Sequence, residues 1–382
     1  MSDVRLGEVL NVYHGWAFPS KGCKDAELDS EPRLIRIGDF ARDRSSRFEP
    51  ERVQAYVAEY PRKFRLGAGD LLVAMTCQTA DGEILGYPMV VPDDGRLYLH
   101  NQRIGRIEVD DTRLDERFAY YIFKTNDLNR QLYLSASGSK ILHTAPDRIQ
   151  ACRIWLPLLD EQRRIASVLG ALDDLIETNR KLMAGLAEAQ LASFRRGWDG
   201  VQRRRLEEVA TITMGQSPPG DTYNEDGEGV AFYQGVRDFG WRFPSRRIWT
   251  TKPTRLADRG DILVAVRAPV GELNIATEKT ALGRGVGGLR AVGRQATLFQ
   301  ALQADTALWD IHLGTGTVFA AINKAGMAAL SVPWIDDDSL ESALSTMDSI
   351  ISALDEEVVV LTKTRDELLP LLMSGRVRAK EI

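Results

Sequence analysis

Two stretches of the chain place apolar residues at alternating steps of three and four, the spacing of one face of an α-helix. In the first stretch the stripe consists of Ile165, Val168, Leu172, Leu175, Asn179, Leu182, Leu186 and Ala189, widened by Leu169, Ile176 and Met183. In the second it consists of Leu340, Leu344, Met347, Ile351, Leu354, Val358, Leu361, Arg365, Leu368 and Leu372. Spacing sustained over this length predicts two long helices with a coiled-coil seam.

A single stripe of this kind is most often the buried face of a core helix in one domain. Because two such helices occupy equivalent places in the chain, the sequence favours their packing against each other. The polar seam residues Asn179 and Arg365 would then help to fix the register. Pro370 lacks an amide proton and clashes with the preceding turn, so the second helix is expected to end or kink near Leu369.

The segments outside the helices are predicted to form mixed α/β domains. Residues 71–75 and 262–266 are short apolar runs that follow Gly-Asp pairs, as buried strands do. Residues 117–134 place apolar side chains at helical spacing. Loops rich in glycine and proline, such as residues 215–229, are long enough to form a functional surface.

The chain also contains an internal duplication, in which short segments recur in the same order while the offset falls from 200 to 175 residues. The segments are 5–9, 39–40, 69–74, 137–139 and 156–157, which recur as 205–209, 238–239, 260–265, 315–317 and 332–333. Asp173 and Ile176 similarly match Asp348 and Ile351. Each half is therefore expected to be a globular domain followed by a long helix. The expected boundaries are 1–155, 156–198, 199–332 and 333–382.

Length and composition limit the possible classes of protein. The 382 residues are 44% apolar and 27% charged, which excludes bulk disorder and predicts two or three domains. No apolar run approaches the roughly 18 residues needed to cross a bilayer, and the first residues lack a secretion signal. Three widely spaced cysteines exclude a disulfide framework. The expectation is a cytoplasmic protein with no membrane partner.

The net charge of −5 is unusual for a protein that binds nucleic acid. Residues 333–382 alone hold eleven acidic and five basic side chains, so the whole excess of acid lies in the C-terminal stretch. The rest of the chain is close to neutral, with dense local arginine. Such a chain could recognise DNA if a partner supplied much of the phosphate affinity.

The sequence lacks the common catalytic motifs. No GxxxxGK(S/T) phosphate loop occurs, none of the eleven lysines has an acidic residue two positions before it, and the four histidines form no HxxxH or HExxH pair. Residues 217–220 are Ser-Pro-Pro-Gly, in which Gly220 replaces the aromatic residue that a methyltransferase tetrapeptide stacks on a flipped adenine. The expectation is a non-catalytic chain with no cofactor and no metal.

Two longer motifs resemble a known family. Residues 214–220 are Met-Gly-Gln-Ser-Pro-Pro-Gly, and they are followed by Tyr223, Asn224, Gly227, Gly229, Phe232, Gln234, Gly235, Asp238 and Phe239. Residues 156–158 and 161–166 precede Leu169, Leu172, Asp173, Ile176, Asn179 and Leu182. The first motif resembles the opening of a target-recognition domain, and the second the central helix, in specificity subunits of type I restriction-modification enzymes. The first half departs from the pattern, because residues 13–19 stand in place of that opening.

The resemblance implies a non-catalytic subunit in which two target-recognition domains are held apart by two antiparallel helices that form a coiled coil. It implies three kinds of partner: double-stranded DNA, two methyltransferase subunits and, in the restricting complex, motor-nuclease subunits. Two different domains on a spacer would recognise an asymmetric bipartite target. A helix of about 30 residues spans roughly 45 Å, which is sufficient for half-sites about one DNA turn, roughly 34 Å, apart.

Polar residues of the loops are the candidates for DNA contacts. Glutamine and asparagine can pair bidentately with adenine and arginine with guanine, whereas serine, lysine and backbone amides favour phosphates. The candidates of the second domain are Gln216, Ser217, Tyr223, Asn224, Gln234, Arg237, Arg267 and Arg284. Those of the first domain, analogous by position, are Arg36, Gln78, Gln102, Arg103, Ser137 and Lys140. For Tyr223 and Trp16, core packing is the competing interpretation.

Two other functions remain as alternatives. A scaffold or decoy of the same fold would bind methyltransferase subunits but no DNA, and it would lack basic residues on the loop faces of both domains. A single-chain DNA methyltransferase is disfavoured by the missing aromatic residue of the tetrapeptide.

Overall fold

The computed structural model describes residues 2–40, 48–198, 200–310 and 321–379. The chain divides into two compact units, Met1–Glu177 with Val359–Ile382 and Thr178–Val358. Each unit combines β-sheets with α-helices, which confirms the predicted mixed α/β class. Among the described residues, none of the helices is both long enough and apolar enough to span a membrane.

The first unit contains two principal sheets. The antiparallel four-stranded sheet has the order Leu10–His14, Ile104–Val109, Leu71–Ala74, Pro88–Val90. The five-stranded sheet has the order Cys23–Lys24, Ala55–Tyr56, Arg33–Ile35, Tyr98–His100, Arg65–Leu66, and its third and fourth strands are parallel. The described part of this unit also contains two strand pairs, Ser2–Arg5 with Arg153–Leu156 and Thr76–Cys77 with Leu142–His143.

The second unit repeats this topology. Its four-stranded sheet has the order Thr211–Met214, Val286–Arg290, Ile262–Ala265, Leu273–Ile275. Its five-stranded sheet has the order Tyr223–Asn224, Trp249–Thr250, Val230–Tyr233, Thr280–Leu282, Leu256–Ala257, again with a parallel pair in third and fourth place. The strand pair is Arg203–Arg205 with Ser331–Pro333. The structure therefore confirms the duplication, although the repeat of residues 137–139 in Thr315, Gly316 and Thr317 lies outside the described residues.

The predicted strands at residues 71–75 and 262–266 are confirmed. Leu71–Ala74 and Ile262–Ala265 are buried along their whole length, because apolar side chains on both faces of each strand contact the core. The α-helices around the sheets are short: Ile37–Phe40, Glu116–Lys124, Asn126–Ser135 and Pro146–Ala151 in the first unit, and Leu206–Val209, Gln295–Ala304 and Lys324–Ala329 in the second.

Single turns of 3-10 helix join several of these elements. They are Leu6–Glu8, Ser20–Gly22, Pro50–Arg52, Arg62–Phe64, Gly220–Thr222, Val236–Asp238 and Thr306–Leu308. The one helix expected over residues 117–134 is in fact two, because Thr125 adopts extended backbone angles between them. The Thr125 hydroxyl accepts a hydrogen bond from the amide of Leu128, so it caps the second helix and stabilises the break.

Two long helices carry the predicted stripes: Leu159–Arg196, here called the central helix, and Asp338–Met373, the C-terminal helix. In the C-terminal helix, every residue of the predicted stripe from Leu344 to Leu372 is buried or half-buried, and Leu340 is half-buried as well. Asp337 caps this helix by accepting hydrogen bonds from the amides of Ser339 and Leu340. The seam predicted for the C-terminal helix is therefore confirmed.

The stripe predicted for the central helix is exposed at three of its eight positions, Leu175, Leu182 and Ala189, whereas the three residues predicted to widen it are buried. The structure buries Leu169, Ile176 and Met183, whereas Leu175 and Leu182 are 41% and 52% exposed. The predicted stripe and the buried stripe share residues 165, 172, 179 and 186, and they differ in whether the step of three or the step of four comes first. The buried stripe ends at Gln190, which is fully buried although it is polar. Apolar character alone therefore does not identify this position as part of the stripe.

Polar residues join the two long helices inside each unit. In the first unit, Arg365 donates to Asp173 at 2.7 Å. In the second unit, the Asn179 amide donates to Glu357 at 2.9 Å and the Gln190 amide to the carbonyl of Leu344 at 2.8 Å. As the residue on the central helix rises from 179 to 190, its partner on the C-terminal helix falls from 357 to 344. The two helices are therefore antiparallel within this unit. Asn179 and Arg365 thus make the cross-helix contacts that the sequence predicted for them.

The sequence predicted that the C-terminal helix would end or kink near Leu369, and the helix does not end there. The helix continues to Met373 with Pro370 inside it. Leu372 and Met373 are buried in the core of the first unit, and their burial offsets the backbone hydrogen bond that proline removes.

The corrected seam gives a direct prediction. We expect Met183→Ala to lower the free energy of unfolding by about 2–5 kcal/mol, because Met183 is 4% exposed and its truncation leaves a cavity. Leu182→Ala is the matched control, and we expect it to cost less than about 1 kcal/mol, because that side chain already contacts solvent. Chemical denaturation of both variants measures the two costs. A larger loss of unfolding free energy in the Leu182 variant than in the Met183 variant would support the stripe through Leu182 that the sequence predicted.

Candidate nucleic-acid interface

Most candidate residues lie beside one turn that occurs once in each unit. In the first unit the turn comprises residues 101–103, directly after the strand Tyr98–His100. In the second it comprises residues 283–285, directly after Thr280–Leu282. We call these two segments the edge turns, because each lies where a parallel strand pair of the five-stranded sheet ends.

Equivalent backbone hydrogen bonds hold the two edge turns. The amide of Trp16 donates to the carbonyl of His100, and that of Gln216 to the carbonyl of Leu282, each at 2.9 Å. Trp16 and Gln216 therefore occupy the same position, and each brings the loop that follows the first strand of the four-stranded sheet against the edge turn.

A glycine precedes each of these residues because the backbones approach closely. A Cβ atom on Gly15 would lie 2.2 Å from the carbonyl oxygen of Asn101, and one on Gly215 would lie 2.1 Å from that of Gly283. No other residue fits either position without moving the edge turn. The glycine of the motif in the second domain is thus matched in the first, although the surrounding sequences differ.

The end of the neighbouring parallel strand is also built alike in both units. The amide of Arg36 donates to the Asp39 carboxylate, and that of Gln234 to the Asp238 carboxylate, each at 2.7 Å. Burial raises the pKa of Asp39, against the opposing effects of its hydrogen bond from the Arg36 amide and the nearby Arg36 charge. The repeated Asp-Phe pair could have revealed this role, since its aspartate fixes the strand end in both domains.

A cavity of about 320 Å³ lies beside the edge turn of the first unit. Four of the six candidate residues of this domain line it: Arg36, Gln78, Gln102 and Arg103. Asp39 and Asn101 complete the polar wall, and sequence analysis selected neither of them as a candidate. The cavity therefore combines hydrogen-bond donors and acceptors in one place, as recognition of base edges requires.

The other two candidates of the first domain lie on an adjacent loop. Ser137 exchanges backbone hydrogen bonds with His143, whose strand pairs with Thr76–Cys77 immediately before Gln78. Ser137 and Lys140 are exposed and do not line the cavity. A hydroxyl and an ammonium group suit contacts with phosphates more than contacts with bases.

The second unit presents its candidates around the edge turn as exposed side chains. Gln216, Gln234, Arg237, Arg267 and Arg284 are all exposed. The backbone amide and the Nε atom of Arg284 each lie 3.4 Å from the Ser217 hydroxyl. The amide of Val266, the residue before Arg267, donates to the carbonyl of Gly285, so Arg267 adjoins the same turn.

Three aromatic or amide side chains are engaged within the fold. The Tyr223 hydroxyl donates to the Pro218 carbonyl at 2.9 Å, and its ring packs 4.8 Å from that of Phe232. The side chain of Asn224 both donates to and accepts from the backbone of Glu228. Trp16 packs edge-on against Phe18. These contacts favour structural roles for Tyr223, Asn224 and Trp16, and a base contact would require breaking them.

His100 gives the first unit a pH-dependent stability. Burial lowers its pKa to about 4, and its Nε2 atom lies 2.8 Å from the carbonyl of Ile104. Because the unfolded histidine titrates near 6.5, the unfolded state binds the extra proton between these values. The stability that neutral His100 contributes is therefore complete above about pH 6.5 and is lost as the pH falls towards 4.

We expect wild-type protein to lose up to about 3 kcal/mol more than His100→Leu between pH 6.5 and pH 4. Leucine is the residue at the equivalent position of the second unit, Leu282, so the replacement suits this sheet. Thermal unfolding across this pH range measures the difference. Parallel losses in both proteins would show that His100 does not cause the pH dependence.

The first half of the chain matches a described family model. Residues 1–188 match the type I restriction modification DNA specificity domain. A Methanocaldococcus jannaschii protein, provisionally described as the type I restriction enzyme MjaX specificity subunit, is 27% identical over 348 residues, covering 83% of this chain and 80% of that relative. The type I restriction enzyme MjaVIII specificity subunit of the same organism is 27% identical over 180 residues, covering 47% of this chain and 40% of the relative.

A solved structure shares the fold over nearly the whole chain. The crystal structure of the type I restriction-modification system S subunit from M. genitalium superposes with a TM-score of 0.61 at 16% identity, covering 97% of this chain and 96% of that one. The sequence matches and this shared fold agree with the resemblance seen in residues 156–182 and 214–239. Residues 1–188 thus match the DNA specificity domain of type I restriction-modification enzymes, and most of the chain is similar to a protein provisionally described as a specificity subunit of such an enzyme.

Proposed function

We propose that this chain is the DNA-specificity subunit of a cytoplasmic type I restriction-modification complex. In this proposal, residues 1–155 and 199–332 are target-recognition domains that bind the two halves of an asymmetric bipartite DNA target. Residues 156–198 and 333–382 supply the helices that separate the domains and dock two methyltransferase subunits. Methyl transfer belongs to those subunits, and cleavage belongs to motor-nuclease subunits of the restricting complex. The family model that matches residues 1–188 and the similarity of most of the chain to a specificity subunit support these assignments.

One observation carries the proposal of two different half-sites. The two edge turns share their backbone hydrogen bonds and their close glycine approach, yet the side chains that they present differ. The first turn carries Gln102 and Arg103, whereas the second carries Arg284 between two glycines. A shared frame with different donors and acceptors is expected of two domains that bind different base sequences in the same manner.

The charge distribution supports DNA binding over the scaffold alternative. A scaffold would not require basic side chains on the loops, but Arg103, Lys140, Arg237, Arg267 and Arg284 are exposed around the edge turns or on the neighbouring loops. Because the net charge of the whole chain is −5, we expect the isolated chain to bind DNA weakly with a shallow salt dependence. Adding the methyltransferase subunits should steepen that dependence, because more phosphates are neutralised.

The salt dependence of DNA binding tests the proposal. For the complex with methyltransferase subunits on a random-sequence duplex, we expect Arg237→Ala with Arg267→Ala to reduce the salt slope by one to two units, about one for each lost phosphate contact. Arg205→Ala is the control. Arg205 lies on the strand Arg203–Arg205, outside the edge turn, and forms an ion pair with Glu207. If the double arginine variant leaves the salt slope as unchanged as the Arg205 control does, or if the complex binds no DNA, the result would favour the scaffold alternative.

A further inference from the structure

The two domains place an arginine and a glutamine at the same two positions, but in exchanged order. In the first domain Ile35 pairs with His100, so Arg36 follows one strand by one residue and Gln102 follows the other by two. In the second domain Tyr233 pairs with Leu282. By the same count, Gln234 stands at the position of Arg36 and Arg284 at that of Gln102.

Each pair comes together because its two strands are parallel neighbours. Adjacent parallel strands lie about 4.8 Å apart, and their carboxyl ends deliver the following residues to one edge of the sheet. In the first domain Arg36 and Gln102 line the same cavity. In the second domain, Cβ atoms on Gly283 and Gly285 would lie 3.0 Å or less from the backbone of Gln234, so Arg284 projects between two close contacts with that strand end.

The side chains remain suited to base recognition in their present contacts. The Nε atom of Arg36 lies 3.9 Å from the Asp39 carboxylate, an ion pair longer than a hydrogen bond. The Nε atom of Arg284 lies 3.4 Å from the Ser217 hydroxyl. Gln102 and Gln234 are exposed. An arginine fork matches the O6 and N7 atoms of guanine, and a glutamine amide matches the N6 and N7 atoms of adenine.

We propose that these positions are the specificity-determining pair of each domain, so that one guanine and one adenine are contacted in opposite order in the two half-sites. Arg36 and Arg284 bind guanine, and Gln102 and Gln234 bind adenine. The separation of the strands, about 4.8 Å, exceeds the rise between base pairs, about 3.4 Å, by less than half a step. The two contacted base pairs are therefore neighbours. This inference rests on the proposed function and adds to it the bases and the residues that select them.

The test exchanges the two residues within one domain. The full-length chain in complex with its cognate methyltransferase subunits selects duplexes from a library with randomised positions, as wild type and as Arg36→Gln with Gln102→Arg. We expect the guanine and the adenine to change places at neighbouring positions of one half-site, while the other half-site is unchanged. The reciprocal variant, Gln234→Arg with Arg284→Gln, should reverse only the other half-site.

The unaltered domain is an internal control for folding, since its half-site must still be selected. Arg36→Lys is a second variant that keeps the charge but loses the bidentate fork. We expect it to lower the preference for guanine about 5- to 150-fold without changing the salt slope of binding.

The outcomes separate this inference from the proposed function. If the wild-type complex selects two half-sites, and neither the exchange nor Arg36→Lys alters the bases, the specificity-determining role is wrong while the proposed function stands. Loss of selection in the altered half without reversal overturns the assignment of arginine to guanine and glutamine to adenine. A wild-type complex that selects no sequence at all refutes the proposed function and this inference together.

Discussion

We expect Asp348→Ala to lower the free energy of unfolding of the second unit by about 3–5 kcal/mol, because it leaves a buried guanidinium without its counter-charge. Arg242 is 3% exposed and forms its ion pair with Asp348 on the C-terminal helix. The Gln190 side chain contacts both groups, and the guanidinium lies 4.4 Å from the ring centre of Phe299. Burial lowers the pKa of Arg242, and the nearby Asp348 charge opposes that shift.

Chemical denaturation measures this loss against a surface pair on the same helix. Glu356 pairs with Arg259 at 3.2 Å with both side chains mostly exposed, so Glu356→Ala should cost less than about 1 kcal/mol. Combining Asp348→Ala with Arg242→Met removes the buried charge as well and should recover part of the stability. Equal small losses in the Asp348 and Glu356 variants would show that the buried pair does not hold the domain to the helix.

We expect Gly215→Ala to weaken base selection by the second domain, most strongly at the guanine assigned to Arg284, while the first domain continues to select its half-site. The new Cβ atom would lie 2.1 Å from the carbonyl oxygen of Gly283 and 2.5 Å from that of Val286, so the edge turn that carries Arg284 must move. Loss of one bidentate contact reduces discrimination about 5- to 150-fold. The crowding itself should cost about 1–3 kcal/mol of stability.

Gly220→Ala is the matched control, because it lies in the same loop and a Cβ atom there would meet no atom of the described chain within 4 Å. Selection from a randomised duplex library, together with thermal unfolding of each variant, measures both effects. Unchanged selection in a folded Gly215 variant would mean that the second half-site is recognised elsewhere.

Sequence alone predicted the elements whose pattern is local and repeated. The apolar runs at residues 71–75 and 262–266 and the ten-residue stripe of the C-terminal helix left only one consistent burial pattern, and the structure confirms them. The buried face of the central helix was harder to predict. A stripe that begins with a step of three and a stripe that begins with a step of four share half of their residues. Packing against the partner helix decides between them, and a single helix does not contain that information.

The candidate site was partly predictable for a related reason. Residue chemistry selected Arg36, Gln102, Gln234 and Arg284, but their pairing depends on the register of two parallel strands that are about 50 to 65 residues apart in the chain. Tyr223 and Asn224 belong to the same motif, and the structure engages both of them within the fold. Motif membership alone did not separate residues that shape the loop from residues that face solvent.

Methylome sequencing of cells that express the chain with its cognate methyltransferase tests the central claim most directly. We predict that wild-type cells modify sites with two different half-sites separated by a fixed number of unspecified bases. Arg267→Ala with Arg284→Ala should relax the base preference in one half-site only, because both residues adjoin one edge turn. An uninterrupted target, or relaxation of both half-sites by this one change, would contradict recognition by two separate domains.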